Sequence, residues 1–186
     1  MTRSFKNAVL HLVSAAVVAA GLCATQAVAA PGVASAGECP SATALSVINQ
    51  GRTTFANSHE SGVADNATAL KEINQAASGL AAQRSSYGTA PGGSVCLKES
   101  MLKGLYFVGS AYRLSISEIA GGSHTAGSAH YDGRAFDISV INGVTVDSGN
   151  AYYRDVMQSC RNNGASLVLG PGDAGHDTHL HCQWSA

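Results

Sequence analysis

Apolar positions recur at helical spacing in three stretches of the first part of the chain. The periodicity predicts helices over residues 41–55 and 66–84, with a Ser/Gly break between them. A loop rich in glycine and proline at 85–94 precedes a third apolar stretch, which predicts a helix from Cys96 to about Arg113. Each stretch carries one apolar face, so we expect the three helices to contribute to a shared core.

The pattern changes to strict alternation at residues 114–119, which predicts a half-buried strand. A long surface loop is expected at 120–133, which contains four glycines and two histidines. Asn142-Gly143 predicts a hairpin turn. The remaining predicted elements are a helix at 151–161 and strands at 134–141, 144–146, 166–169 and 177–184. Helices followed by a small, mainly antiparallel sheet with helices packed on it indicate an α+β fold.

The amino end has the pattern of a signal peptide. Arg3 and Lys6 precede an apolar run at 8–20 and the small residues Ala27-Val28-Ala29. A membrane anchor is the alternative, but the apolar run is short for a membrane span. We therefore expect a signal peptide at 1–29, a flexible lead-in at 30–38, and one domain at 39–186. Within that domain, residues 39–112 form a helical part and 113–186 carry the sheet.

Charge and cysteine content limit the class of partner and compartment. Loss of the signal peptide leaves nine basic and twelve acidic residues, a net charge of −3, so nucleic acid is not an expected partner. We expect a monomer that is secreted, periplasmic or associated with the cell wall, with no membrane contact after cleavage.

Four cysteines remain after cleavage, which in an oxidising compartment predicts two disulfides. In an extended strand Cys182 faces away from His181, so a Cys160–Cys182 bond would tie this strand to the late helix. A Cys39–Cys96 bond would complete the set. The other two pairings remain open.

Five of the seven histidines lie from His124 onward. His130 ends the long loop and Asp137 lies in the strand after it. Residues two apart in a strand point to the same face, so His179 and His181 would project together. Imidazole and carboxylate groups suit zinc, and three protein ligands with an open fourth position are typical of catalytic zinc. The sequence therefore predicts a Zn²⁺ site.

The segment at 128–137 resembles the Ser-x-His-x-x-Gly-x-Ala-x-Asp motif of the LAS metallopeptidases. This group includes D-alanyl-D-alanine carboxypeptidases, murein endopeptidases, phage endolysins and the Hedgehog signalling domain. All five fixed positions match: Ser128, His130, Gly133, Ala135 and Asp137. The ending His176-x-x-His179-x-His181 is similar to the terminal motif of the penicillin-insensitive murein endopeptidases. The resemblance covers residues 110–184.

The resemblance implies a LAS/Hedgehog-like fold in which His130, Asp137 and His181 bind zinc. It also implies that His179 lies beside the attacking water, where other branches of the group have a glutamate. Physical chemistry independently makes His179 the best candidate for proton acceptor and donor, because its spacing from His181 sets it near the metal. The implied substrate is peptidoglycan or another short peptide containing D-amino acids.

Several further residues are candidates for roles around the metal. Ser128 either orients His130 through a hydrogen bond or is an ordinary loop serine. His176 and His124 are candidates to line the substrate cleft, with His176 favoured by its place in the terminal motif. Many relatives carry a substrate-binding arginine on the strand before the motif, where this chain has 114–119. Arg113 or Arg134 is the expected substitute.

Glu118 on that strand is interpreted as a solvated carboxylate, with a role in substrate binding or proton transfer as the alternative.

The expected function is that of a secreted zinc metallopeptidase, a carboxypeptidase or endopeptidase that hydrolyses peptidoglycan stem peptides or cross-links. The alternative is a secreted binding module with a structural or vestigial zinc site. A disulfide-rich structural protein without metal would leave the histidines unexplained.

Overall fold

The computed structural model describes residues 39–186, so the predicted signal peptide and lead-in lie outside the described residues. Four helices are present in the described part of the chain: α1 (Ala42–Asn49), α2 (Ala69–Ala77), α3 (Glu99–Ala111) and α4 (Tyr153–Asn162). The strands are β1 (Thr53–Phe55), β2 (Ala82–Gln83), β3 (Ser94–Val95), β4 (Leu114–Glu118), β5 (Ala135–Ile141), β6 (Val144–Thr145), β7 (Leu167–Leu169) and β8 (Leu180–Gln183).

The main sheet is mixed, and the α+β class is confirmed. Its strand order is β1-β4-β5-β8-β7, and β6 pairs with β5. The β1–β4 pairing is parallel, and the other pairings of this sheet are antiparallel. Strands β2 and β3 form a separate two-stranded sheet. The central strand β5 is therefore covered on both edges, by β4 and β8.

The first two predicted helices are too long, and glycines explain why. Helix α1 ends at Asn49 because Gly51, with φ of +65°, turns the chain out of the helix, and the end of the predicted helix is strand β1. Helix α2 ends at Ala77, and Gly79 follows with φ of +76°. Of the rest of that predicted helix, residues 82–83 form β2. The part expected to be only helical therefore contributes a strand to the main sheet.

Other boundaries shift by a few residues, most of all at the chain's end. Helix α3 begins at Glu99 rather than Cys96, because Lys98 N–H donates to the carbonyl of Gly133. The Asn142-Gly143 hairpin turn is confirmed, with φ of +52° and +84°. Strand β8 begins at Leu180 instead of 177, so His179 precedes the strand and the shared-face argument for His179 and His181 does not apply.

A single apolar core lies between the helices and the sheet. Helix α1 packs on α2 and α3, while α4 packs on α3, β7 and β8. The largest fully buried side chains come from both layers, including Ile73, Leu102, Phe136 and Leu180. This core fixes the strands that carry the polar side chains described below.

One of the two predicted disulfides is present. Cys39 is bonded to Cys96, as predicted. Cys160 and Cys182 are adjacent but are free thiols, joined by a side-chain hydrogen bond. Burial raises the pKa of the Cys182 thiol far above its usual value. Because the thiolate is the form that reacts, this burial lowers the reactivity of Cys182.

No helix of the described residues is both long and apolar enough to cross a membrane. The bonded cysteine pair is consistent with an extracellular location.

Candidate metal centre

Three polar side chains form a row across the middle of the main sheet. Glu118 on β4 is the register partner of Asp137 on β5, and Asp137 is the register partner of His181 on β8. Side chains of register partners lie on the same face of a sheet, a few ångströms apart. All three are buried. Strand pairing alone therefore brings together residues that are up to 63 positions apart in the sequence.

His130 joins this row from the loop between β4 and β5. Its Nε2 atom lies 3.0 Å from Nδ1 of His181 and 3.2 Å from Oδ1 of Asp137. Nδ1 of His181 lies 3.0 Å from the same carboxylate oxygen. Three atoms that could bind a metal, one from each of the residues predicted as ligands from the sequence, thus surround one point.

The other nitrogens of both imidazoles face oxygen atoms. Nδ1 of His130 donates to the carbonyl of Ile119, and Nε2 of His181 lies 3.2 Å from Oε1 of Gln183. These contacts place the ring protons on the outer nitrogens, so the lone pairs of the inner nitrogens point at each other and at Asp137. Three acceptor atoms this close together repel one another unless a cation or a shared proton lies between them.

His124 is a further member of the cluster. Its ligand atom, together with those of His130 and Asp137, falls in a group within 4.8 Å of one another that can hold a metal ion. The His124 ring is stacked on His130, with 3.9 Å between centroids and 7° between planes. Burial lowers the pKa of His124 to about 4, and the neighbouring His130 adds to the shift. His124 is therefore neutral near pH 7.

The electrostatics of Asp137 suit a cation site. Burial by itself would raise the pKa of this carboxyl, but a proton held by His130 and His181 against the carboxylate outweighs burial and keeps the pKa well below the usual range; a bound cation would take the place of that proton. Asp137 is thus ionised at neutral pH, although it is 5% exposed.

The loop at 120–133 is only partly a surface loop, which corrects the sequence interpretation. Ala120, Gly121, Gly122 and residues 129–131 are buried. Glu72 on α2 accepts a hydrogen bond from Ala120 N–H, and Ser85 accepts one from Gly122 N–H. The loop is therefore fixed from below by the amino-terminal part of the chain.

The backbone conformation and the close packing at Gly133 favour glycine at this position of the motif. Its φ is +67°, and a Cβ atom there would lie 2.7 Å from the carbonyl oxygen of Cys96. Gly133 therefore allows the loop to turn into β5 while touching the segment before α3.

Two cavities meet at the cluster and share His124, Asp137 and His179. The larger, of about 440 Å³, is also lined by Ser128, Arg134 and His176. The smaller, of about 200 Å³, is also lined by Glu60, Tyr87 and Glu118. The arrangement is a cleft that runs over the cluster from one cavity to the other.

The remaining predicted site residues fall in different places. His179 is half-buried, and the ring of His176 is 4.9 Å from that of His179 and 5.9 Å from that of His181. The Ser128 hydroxyl accepts from the backbone N–H of His130, and does not contact the imidazole. Arg113 is exposed at the far end of β4 from Glu118, so of the two arginines only Arg134 lines the cleft.

Glu118 is not a solvated carboxylate, which was the preferred interpretation from sequence. It is 8% exposed, and both its oxygens lie within 3.0 Å of Nδ1 of His59. Burial raises the pKa of Glu118 to about 7, against the opposing contact with His59. Nε2 of His59 lies 2.8 Å from Asp65. Sequence reasoning missed His59, Asp65 and the pocket residue Tyr87, because nothing in their local pattern separates them from loop residues.

Compared with protein-family models, curated proteins and solved structures, the chain matches none.

Proposed function

We propose that this protein is a secreted zinc-dependent peptidase that hydrolyses short peptides containing D-amino acids, such as peptidoglycan stem peptides or cross-links. The observation that carries the proposal is the convergence of three acceptor atoms, one each from His130, Asp137 and His181, at separations of 3.0–3.2 Å. Ligand atoms placed tetrahedrally around zinc at about 2.0–2.2 Å are about 3.3–3.6 Å apart. The three atoms of the cluster are slightly closer than this, so a small outward movement would accommodate the ion.

The choice of His181 over His124 as the third ligand rests on ring orientation. The His124 ring is nearly parallel to that of His130, so their in-plane lone pairs run side by side and do not meet. The His181 ring is tilted by 59° to that of His130, which allows the lone pairs to converge. We therefore assign His130, Asp137 and His181 as ligands and His124 as a neighbour that packs on His130.

The proposed chemistry divides between the bound ion and the chain. Zinc would polarise the scissile carbonyl and supply a nucleophilic water at neutral pH. Ile119 and Gln183 hold the two imidazoles in the required orientation. Burial lowers the pKa of His179, so this imidazole is neutral and can accept a proton in the cleft and return it to the leaving amine. Arg134 would hold a carboxylate in the larger cavity.

Peptidoglycan as the substrate class is supported by the match at 128–137 to the LAS motif. The two adjoining cavities, which share His124, Asp137 and His179, would let a peptide lie across the cluster. The Cys39–Cys96 bond agrees with action outside the cell.

The test uses purified protein lacking residues 1–29. Metal content is measured first, with one zinc per chain as the expected result. The protein is then incubated with peptidoglycan fragments, with and without a chelator, and the products are identified by mass spectrometry. We expect chelator-sensitive release of D-alanine or cleavage of cross-links.

The variant His179→Ala should keep its zinc and lose about 10²- to 10⁴-fold in rate, the usual contribution of a proton-transfer group. Zinc at one per chain with no cleavage of any wall peptide would favour the secreted binding module. Absence of zinc binding would overturn both.

A further inference from the structure

The two cavities that meet at the cluster differ in the charged side chains that line them. Arg134 is the basic side chain in the larger cavity; its Nε atom pairs with Asp132 at 3.1 Å and its Nη1 atom donates to the Trp184 carbonyl, contacts that use two of the five N–H donors of the guanidinium. Glu60 and Glu118 line the smaller one, together with the hydroxyls of Ser61, Tyr87 and Ser123. Within the part of the chain that the structure describes, neither lysine nor arginine lines the smaller cavity. A substrate lying across the cluster therefore has a guanidinium on one side and the carboxyl groups of Glu60 and Glu118 on the other.

Glu118, which lines the smaller cavity, belongs to a group of three ionisable side chains with His59, which is buried, and Asp65, which is 25% exposed. Nδ1 of His59 faces Glu118 at 2.8 Å, and Nε2 faces Asp65 at 2.8 Å. The His59 side chain is 1% exposed. Carboxylates only accept hydrogen bonds, so the two contacts need two protons: one on the imidazole and a second shared between His59 and Glu118. Wherever that second proton lies, the three side chains together carry a net charge of −1.

Glu118 connects this buried charge to the cavity. Both of its oxygens share the single Nδ1 position of His59. Two carboxylate oxygens offer about four acceptor sites, so sites remain for a group in the cavity. At the rim, Glu60 is exposed, and the Ser61 hydroxyl lies 3.0 Å from the Tyr87 hydroxyl. Carboxylate and hydroxyl oxygens thus surround the cavity on several sides, as a group with three N–H donors requires.

We propose that the smaller cavity binds the ammonium group of the substrate peptide. A peptide carries its amine and its terminal carboxylate on opposite sides of the bond to be cut. With the carboxyl-terminal portion toward Arg134, the amine-bearing residue lies on the amino-terminal side of the scissile bond, against Glu118 and Glu60. The substrate class is then a short peptide with a free amine on that side, either an α-amine or a side-chain amine. This inference rests on the proposed function for the position of the scissile bond.

The test compares three synthetic peptides that share one scissile bond. One has a free α-amine on the amino-terminal side, one has a free side-chain amine with an acetylated α-amine, and one has both amines acetylated. We expect kcat/KM to fall about tenfold when both amines are acetylated, which is about 1.4 kcal/mol of lost interaction. The peptide with the higher kcat/KM of the first two identifies the source of the amine.

Two variants assign the effect to the cavity. Glu118→Gln should remove the preference for the free amine, while Glu60→Gln at the exposed rim should reduce it about threefold, because exposed ion pairs contribute less. The matched control is Glu99→Gln on α3, which does not line the cavity and should keep the full preference. Zinc content is measured for each variant. If Glu118→Gln fails to fold or loses zinc, the preference measured for Glu60→Gln decides whether the smaller cavity binds the amine.

Equal kcat/KM for the free and the fully acetylated peptides would overturn the inference, as would an unchanged preference in both variants. If the unmodified protein cleaves none of the peptides, the proposed function fails. The binding of the three peptides is then measured by calorimetry. Tighter binding of an amine-bearing peptide, weakened in Glu60→Gln, would keep the ammonium site. Equal binding of all three would remove it.

Discussion

Asp137 and His181 face each other as register partners on β5 and β8, with Oδ1 and Nδ1 3.0 Å apart. Two residues that are 44 positions apart in the sequence, on two paired strands, thus supply two of the three proposed zinc ligands. Strand pairing positions both side chains, so zinc binding at this site requires the native sheet. Zinc should then act as a ligand that stabilises the native state.

The first prediction follows from the dependence of this site on strand pairing. At a free zinc concentration about 100 times the dissociation constant, the free energy of unfolding should rise by about 2.7 kcal/mol. Asp137→Asn should lose most of the gain, because it removes the one ligand charge. Urea unfolding with zinc and with a chelator measures both. The control is Asp155→Asn, an exposed carboxylate on α4, which should respond to zinc as the unmodified protein does. An equal gain in Asp137→Asn would contradict the ligand assignment.

The second prediction separates His181 from His124. His181→Ala should weaken zinc binding by more than about 100-fold, beyond the range usual for residues that only support a ligand. His124→Ala should weaken it by less than about tenfold, because the stacked ring does not direct its lone pair to the same point. Competition titration with a chromogenic chelator measures both. The reverse order of effects would assign His124 as the third ligand.

How far the sequence predicts the fold depends on which contacts are local. The alternation at β4, the Asn142-Gly143 turn and the helical periodicity of α3 and α4 are local signals, and the structure contains these elements near the predicted positions. Strand β1 has only three residues and lies at the end of the stretch over which the first helix is predicted, so the sequence prediction includes it in that helix. Its strand character arises from parallel pairing with β4, a long-range contact that no local pattern reveals.

The candidate site also contains residues that local sequence motifs predict and residues that only long-range contacts bring into place. His130, Asp137 and His181 are recognisable from motif spacing, and the structure brings their donor atoms together. His59 and Asp65 belong to a loop whose position depends on β1. Because Phe55 pairs with Ile116, the chain after β1 leaves the sheet at the end where Glu118 lies. Without that strand, nothing in the sequence places His59 against Glu118.

A third prediction concerns Gly104, where α3 packs against the end of the chain. A Cβ atom at Gly104 would lie 2.0 Å from the indole of Trp184, whose Nε1 donates to the carbonyl of Asn163. Gly104→Ala should therefore destabilise the protein by about 1–3 kcal/mol, although alanine favours helices. Urea unfolding measures this. Ser100→Ala, at an exposed position of the same helix, is the control and should be neutral or slightly stabilising. A stabilised Gly104→Ala would mean that Trp184 moves freely.

The fourth prediction concerns Glu72, a carboxyl that is fully buried on the first turn of α2. One oxygen accepts from Ala120 N–H, and the other has no hydrogen-bond partner among the described residues. Burial raises its pKa well above 4.5. Above pH 4.5 the unfolded chain releases this proton first, so the folded state binds more protons. Stability contributed by the neutral carboxyl is therefore lost as pH rises toward the folded-state pKa.

Glu72→Gln should remove this loss, because an amide keeps the acceptor for Ala120 and cannot ionise. Its free energy of unfolding should exceed that of the unmodified protein at neutral pH, and the difference should shrink toward pH 4.5. Urea unfolding across that range is the measurement, with Glu60→Gln at an exposed position as the control. Ala120 is followed by Gly121, whose carbonyl oxygen contacts His124, so zinc affinity is measured in parallel and should be unchanged. A Glu72→Gln variant less stable than the unmodified protein at neutral pH would mean that the ionised carboxylate is the native form.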